Sequence, residues 1–171
     1  KYGVTMTYHL SNSYETKSEK RKKSEKRLNQ KLMNVPFPGY DSLDMEKNEI
    51  PAYIKISIED DNGNIIRHIK ERARKGTHRI TWDLRHMFKG SITDSNKKNN
   101  LRGPIVKPGK YNATLYLVES GSTTKLSEKR SFELKPIYES TLKGTNFEDY
   151  NEYVNNYFKA PPHAADPNIK K

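Results

Sequence analysis

Pro51-Ala52-Tyr53-Ile54-Lys55-Ile56-Ser57-Ile58-Glu59-Asp60, followed by Asp61-Asn62-Gly63 and then Asn64-Ile65-Ile66-Arg67-His68-Ile69-Lys70, is the stretch that decides the fold. Ala52, Ile54, Ile56 and Ile58 alternate with Tyr53, Lys55, Ser57 and Glu59, the period-two pattern of a strand with one buried face. Asn62-Gly63 supplies the positive φ that a tight hairpin turn demands, so Asn64–Lys70 returns as an antiparallel partner. Its inward face stays open between Ile65 with Ile69 and Ile66. A calcium loop beginning at Asp60 is excluded, because Ile65 stands where the sharp turn of an EF-hand requires glycine.

The same alternation recurs outward from this hairpin. Lys75-Gly76 turns into Thr77–Leu84, where His78, Ile80 and Trp82 share a face. Lys107-Pro108-Gly109-Lys110 is a second turn, and Tyr111, Ala113, Leu115 and Leu117 alternate after it. Ser120-Gly121-Ser122 turns again, and Leu126–Leu134 closes the series with Phe132 and Leu134 inward. Upstream, Val4, Met6, Tyr8 and Leu10 alternate with Thr5, Thr7 and His9. About six short strands with no helix between most of them predict an all-β fold, an antiparallel β-sandwich of the immunoglobulin-like or fibronectin-III-like kind, with helical appendages.

Composition limits how much chain that core can organise. Leu, Ile, Val and Phe make up 33 of 171 residues, with a net charge of +11, which averaged over the chain is the composition of disorder. The 33 are unevenly spread, however: 20 fall in residues 51–137. The expected organisation is one domain over residues 1–137 and a tail over 138–171, helical from Thr141 to Phe158 and disordered at its end. Phe147, Tyr150 and Val154 fall at helical spacing within it. Residues 14–33 hold eight basic and three acidic side chains, with only Leu28 and Leu32 able to pack. They read as a solvated basic helix inserted after the first strand and capped by Asn12 or Ser13. The linker 35–51 breaks it at Val35-Pro36-Phe37-Pro38-Gly39, since neither proline can donate to a helix. One or two helical turns are expected over Asp41–Glu49. The polar stretch 89–103 reads as a loop.

Several classes fall away. The absence of cysteine removes disulfides, thiolate zinc sites and cysteine nucleophiles. No apolar run reaches the roughly 18 residues of a membrane span. The chain opens on Lys1, three residues before a strand, and reads as a piece of a longer protein.

Gly63 with Ile66-Arg67, then Gly76-Thr77-His78-Arg79-Ile80-Thr81-Trp82-Asp83-Leu84-Arg85, then Val106-Lys107-Pro108-Gly109-Lys110-Tyr111, form an ordered set. It resembles the immunoglobulin-like domain of flagellar hook-capping proteins. More closely it resembles the C-terminal region that follows the sortilin-like, Asp-box propeller in bacterial glycosyl-hydrolase-like proteins, over residues 3–136. That resemblance implies a non-catalytic accessory module of an exported protein, periplasmic or extracellular. Its partner would be the propeller of the same polypeptide or another protein, reached through the helix 14–33 and the linker. It implies no cofactor. Gly76, Trp82, Asp83, Arg85, Pro108, Gly109 and Tyr111 are its motif residues. Each also reads as a folding device: Trp82 centres a small core, Asp83 accepts backbone N–H groups at a strand end and pairs with Arg85, and Gly109 takes the positive φ of a type II turn after Pro108.

No catalytic constellation is visible. The histidines show no metal-binding spacing; His78, Asp83 and His86 could converge as a metal or acid–base site, but the reading preferred is His78 on or beside the Trp82 face and His86 in a loop. The basic excess points to an alternative function, polyanion binding. Lys20, Arg21, Lys22 and Lys23 crowd the helix, while Arg67, Arg72, Arg74, Lys75 and Arg79 crowd two strands and their connection. Such patches can hold acidic glycans, lipopolysaccharide phosphates or nucleic acid, although a solvated basic surface is the preferred reading, because charge alone specifies no partner. Nucleic acid is not expected, because the eleven tyrosines form no RNA-binding motif.

Overall fold

The computed structural model describes residues 2–89, 102–136 and 143–159. Residues 90–101 of the loop expected over 89–103, and the last ten residues expected to be disordered, lie outside them. In chain order the elements are β1 Val4–Leu10, α1 Lys17–Gln30, α2 Tyr40–Asn48, β2 Tyr53–Asp60, β3 Ile65–Arg72, β4 Gly76–Trp82, β5 Gly109–Glu119, β6 Ser122–Lys125, β7 Arg130–Leu134 and α3 Phe147–Lys159.

β2 buries Ile54, Ile56 and Ile58, as its alternation requires, and pairs antiparallel with β3 on one side and β5 on the other. The ambiguity in β3 is resolved by a bulge. Ile58 pairs with Arg67 and Glu59 with Ile65, leaving Ile66 as the extra residue. An extra residue shifts the side-chain alternation by one. Ile66 and Ile69 therefore both turn inward while Ile65 is exposed, so neither simple alternative holds alone. The β5–β6 turn has Ser120 at φ 50° and Gly121 at φ 82°, the two positive φ values of a tight hairpin.

Of the return strand expected over Leu126–Leu134 only Arg130–Leu134 is strand, β7; a further strand not expected from the sequence, β6, precedes it at Ser122–Lys125, and both pair with β5. The break comes where Ser127 accepts the Leu115 N–H on its hydroxyl at 3.0 Å and Leu126 N donates to Leu115 O at 2.8 Å. Those bonds satisfy the β5 backbone without a continuous ladder.

β1 and β4 form a separate two-stranded antiparallel sheet. Its inner residues meet the five-stranded sheet in one cluster that joins Leu10, Ile80 and Trp82 to Ile54, Ile56, Ile58, Tyr111 and Leu117. Trp82 sits edge-on to Tyr111 at 5.5 Å and to Phe132 at 6.2 Å, so the two sheets face each other across the indole. Its Nε1 donates to Arg85 O at 3.0 Å, which lets the ring be fully buried without an orphaned donor. The structure is thus mostly β, with antiparallel sheets of two and five strands, an arrangement compatible with a sandwich.

Residues drawn into the tail contribute to this body. Tyr150 of α3 is buried, Phe147 packs on the core cluster, and Tyr150 Oη accepts the Lys89 N–H at 3.0 Å. Thr145 is stitched to the strand end at 105–107: its N–H donates to Ile105 O at 2.9 Å and its carbonyl accepts Lys107 N–H at 3.1 Å.

Candidate functional surface

α1 begins at Thr16, not at Asn12 or Ser13. Thr16 Oγ1 accepts the Glu19 N–H at 3.1 Å and Glu19 Oε2 accepts the Thr16 N–H at 3.0 Å, a complete capping box. The helix has two unlike faces and buries no residue. Ser18, Arg21, Glu25 and Leu28, spaced by three or four, are its half-buried positions. Arg21 Nε and Nη2 donate to the two oxygens of Glu46 on α2 at 2.7 and 2.9 Å, and Nη1 donates to Glu25 at 2.6 Å. The hydrogen bonds from Arg21 hold the Glu46 carboxyl below the usual carboxylate range, and the same bonds push the guanidinium up. Arg21 is thus committed to tying α1 to α2. Lys22 adds a weaker attraction on Glu46. Lys23 pairs with Glu15 at 3.0 Å.

The second basic group divides in the same way. Arg67 donates to His86 O at 3.0 Å, whereas Arg72, Arg74, Lys75 and Arg79 are exposed. Arg72, Arg74 and Lys75 line a cavity of about 650 Å³ together with Tyr14, Thr16 and Glu19. A second cavity, of about 500 Å³, follows α1 along Lys20, Lys23, Lys26 and Arg27. A third, of about 730 Å³, lies between α2 and the Ser120-Gly121 turn, with Met45 and Ile50 in its wall and Asp41, Asp44 and Glu49 around it.

Large apolar side chains crowd the segment from α1 to β2, and Leu32, expected to pack beside Leu28, is among them because the chain turns left-handed there at the end of α1. Leu32, Met33, Phe37, Tyr40, Met45 and Ile50 are all exposed, Leu32 by 97%. Leu32 also has φ 54°. It ends α1 in a Schellman arrangement, with Met33 N donating to Leu28 O and Leu32 N to Asn29 O, both at 3.0 Å. Glycine ordinarily takes that position, because a Cβ there is strained. The signal was readable: four of the six, Phe37, Tyr40, Met45 and Ile50, lie in the proline-broken linker 35–51.

The motif residues serve the core. Gly76 opens β4 at φ 115° opposite Leu10. Tyr111 is buried, donates to Lys107 O at 2.6 Å, and has its phenol pushed up to about 12 by burial and by Asp60. Two expectations are corrected. Arg85 turns its guanidinium to Gly103 O at 3.1 Å rather than to Asp83, because the strand has ended and the chain at 103–106 packs alongside. Gly109, after Pro108, has φ 158°, close to extended and far from a type II turn, because it already pairs with Leu134 as the first residue of β5.

His78, Asp83 and His86 do not assemble. His78 stacks on Tyr8 at 5.2 Å and shares a 2.7 Å hydrogen bond with Arg74 O. His86 lies outside any strand or helix, as expected, but is buried, and its Nε2 donates to Thr145 O at 2.8 Å. Burial pulls its basicity below the ordinary histidine value, against the Thr145 bond. Among the described residues no three His, Asp or Glu side chains gather closely enough to hold a metal ion, and no helix is long and apolar enough to cross a membrane. No protein-family profile, curated protein or solved structure matches this chain.

Proposed function

We propose that the chain is an immunoglobulin-like, non-catalytic accessory module of an exported bacterial protein, and that it docks on a propeller domain of its own polypeptide or on a partner protein through residues 31–50. Leu32 carries this reading. It is almost wholly exposed and in a left-handed conformation; the Schellman bonds account for the backbone turn, but glycine would make them without strain, and no described residue covers the leucine side chain. Strain of this kind that persists on a surface points to a task outside the fold. Phe37, Tyr40, Met45 and Ile50 extend the apolar surface along the same segment.

Replacing Leu32 by glycine separates the two roles. Leu32→Gly relieves the backbone strain, so α1 gains stability by up to about 1 kcal/mol. The same change removes the apolar anchor, so affinity for the rest of the natural polypeptide drops. The measurement is calorimetric titration of the separately expressed upstream region with the wild-type and L32G chains, at 50 and 500 mM salt. Salt-insensitive binding that weakens at least tenfold in L32G fits apolar docking. Undiminished binding by L32G would remove Leu32 as the anchor, and binding abolished by salt would reject apolar docking.

A further inference from the structure

Two basic clusters some fifty residues apart in sequence meet on one surface. Tyr14 N donates to Ala73 O at 3.0 Å, which fastens the chain entering α1 to the β3–β4 connection. On one side of that junction lies the cleft with Arg72, Arg74 and Lys75, and on the other the groove with Lys20, Lys26 and Arg27. Glu15 lines both, so the two adjoin. Lys20, Lys23 and Arg27 recur at i, i+3 and i+7, a single stripe along about 10 Å of helix. None of Lys20, Lys26, Arg27, Arg72, Arg74 and Lys75 forms an ion pair with another described residue. The nearby carboxylates are already engaged, Glu15 by Lys23 and Glu19 by the Thr16 amide.

We infer that this surface binds an acidic polysaccharide, its sulfate or carboxylate groups seated on Arg72, Arg74 and Lys75 in the cleft and on Lys20, Lys26 and Arg27 along α1. Three features favour a polysaccharide over nucleic acid. Glu15 and Glu19 interrupt the cationic track. Duplex DNA, with a charge per about 1.7 Å of axis, sets phosphates against them, whereas a polysaccharide can place a neutral sugar there. The walls also supply hydroxyl and amide groups, from Ser13, Thr16, Ser24 and Gln30, that suit sugar hydroxyls. Finally, Tyr14 is the single aromatic residue lining either cavity among the described residues, where a single-stranded nucleic acid needs a row of stacking platforms.

The test titrates the full 171-residue chain with a heparin dodecasaccharide, polygalacturonate and a 20-base-pair DNA duplex across a salt series. Three triple variants accompany it: Arg72→Gln/Arg74→Gln/Lys75→Gln, Lys20→Gln/Lys26→Gln/Arg27→Gln, and a charge-matched control, Lys107→Gln/Lys110→Gln/Lys135→Gln. All nine side chains are exposed, so folding is retained and is verified by circular dichroism. The expected result is binding of at least one polysaccharide at physiological salt, weakened about tenfold or more by either site variant and less than threefold by the control. Each site variant also flattens the salt dependence, as loss of ionic contacts requires. Equal loss in the control would reduce the effect to net charge and overturn the site. Two independent binding events, one surviving intact in each site variant, would overturn the shared surface. Tighter binding to DNA than to either polysaccharide, or no binding to any probe, would overturn the ligand class.

Discussion

His86 is where a single side chain most clearly governs the rest. Its ring is buried between the body and α3, 5.2 Å from the Tyr150 ring, and its Nε2 shares the Thr145 carbonyl with Lys107 N. Burial lowers its proton affinity; the bond to Thr145 opposes this, Lys89 adds to it, and Asp60 again opposes. An unfolded chain takes up this proton near pH 6.5 while the folded chain resists it. The stability His86 contributes is therefore complete above about pH 6.5 and is lost as pH falls toward its lower folded value. His68, lowered by burial and by Lys55, contributes a slope of the same sign. The urea midpoint should thus fall between pH 7.5 and pH 5.5, and His86→Gln, which retains a donor toward Thr145, should flatten but not abolish the fall. An unchanged slope in H86Q would show that His86 is not the group responsible. Gly144 supports the same junction: at φ 69°, an added Cβ would stand 2.4 Å from Val106 O. Gly144→Ala should accordingly release Thr145, seen as faster amide exchange at Thr145 and Lys107.

At the scale of elements, α1 is weakly supported: like α2 it buries no residue, and its 14-residue length is marginal for an isolated helix. Its capping box and the Arg21–Glu46 pair are what hold it. Thr16→Ala should cost the helix about 1 kcal/mol, read as faster hydrogen exchange across residues 17–30 with β2 protection unchanged. Simultaneous loss of protection in β2 would show that α1 and the core unfold together. The cap was legible in principle, because Thr16-x-x-Glu19 is the capping-box pattern, but Asn12 and Ser13 compete for the role when the helix start is unknown. The alternation of β1, β2, β4 and β5 was legible for a stronger reason: burying one sheet face forces a period of two. The β6–β7 break was not, since it depends on one hydroxyl, that of Ser127, replacing a ladder bond. Nor was the meeting of the two basic clusters legible. No local pattern links Lys20 to Arg74; their proximity follows from the β1–β4 pairing and the Tyr14–Ala73 bond.

Over the whole molecule, the question is whether α3 completes the body or decorates it. Tyr150 is 6% exposed, Phe147 joins the core cluster, and Lys89 Nζ lies 4.7 Å from the centre of the Phe147 ring and donates to Asn151. Asn64, beside the β2–β3 turn, donates to Glu148 at 3.2 Å, so α3 also reaches the hairpin on which the large sheet is built. A helix that merely trails from the body could be altered without consequence. One that covers it takes apolar surface and backbone partners with it when it leaves. Tyr150→Ala discriminates between these. Removing a buried aromatic ring typically costs about 3–5 kcal/mol, and here it also strips the Lys89 amide of its acceptor. Trp82, the one tryptophan in the chain, sits in the core between the two sheets and reports unfolding of the body through its emission. In Y150A the urea transition followed at Trp82 should move to markedly lower concentration as a single step. If that transition stays in place, while circular dichroism alone loses its helical signal at lower urea, then α3 folds and unfolds independently of the sheets. A cooperative shift means that the C-terminal segment closes the fold.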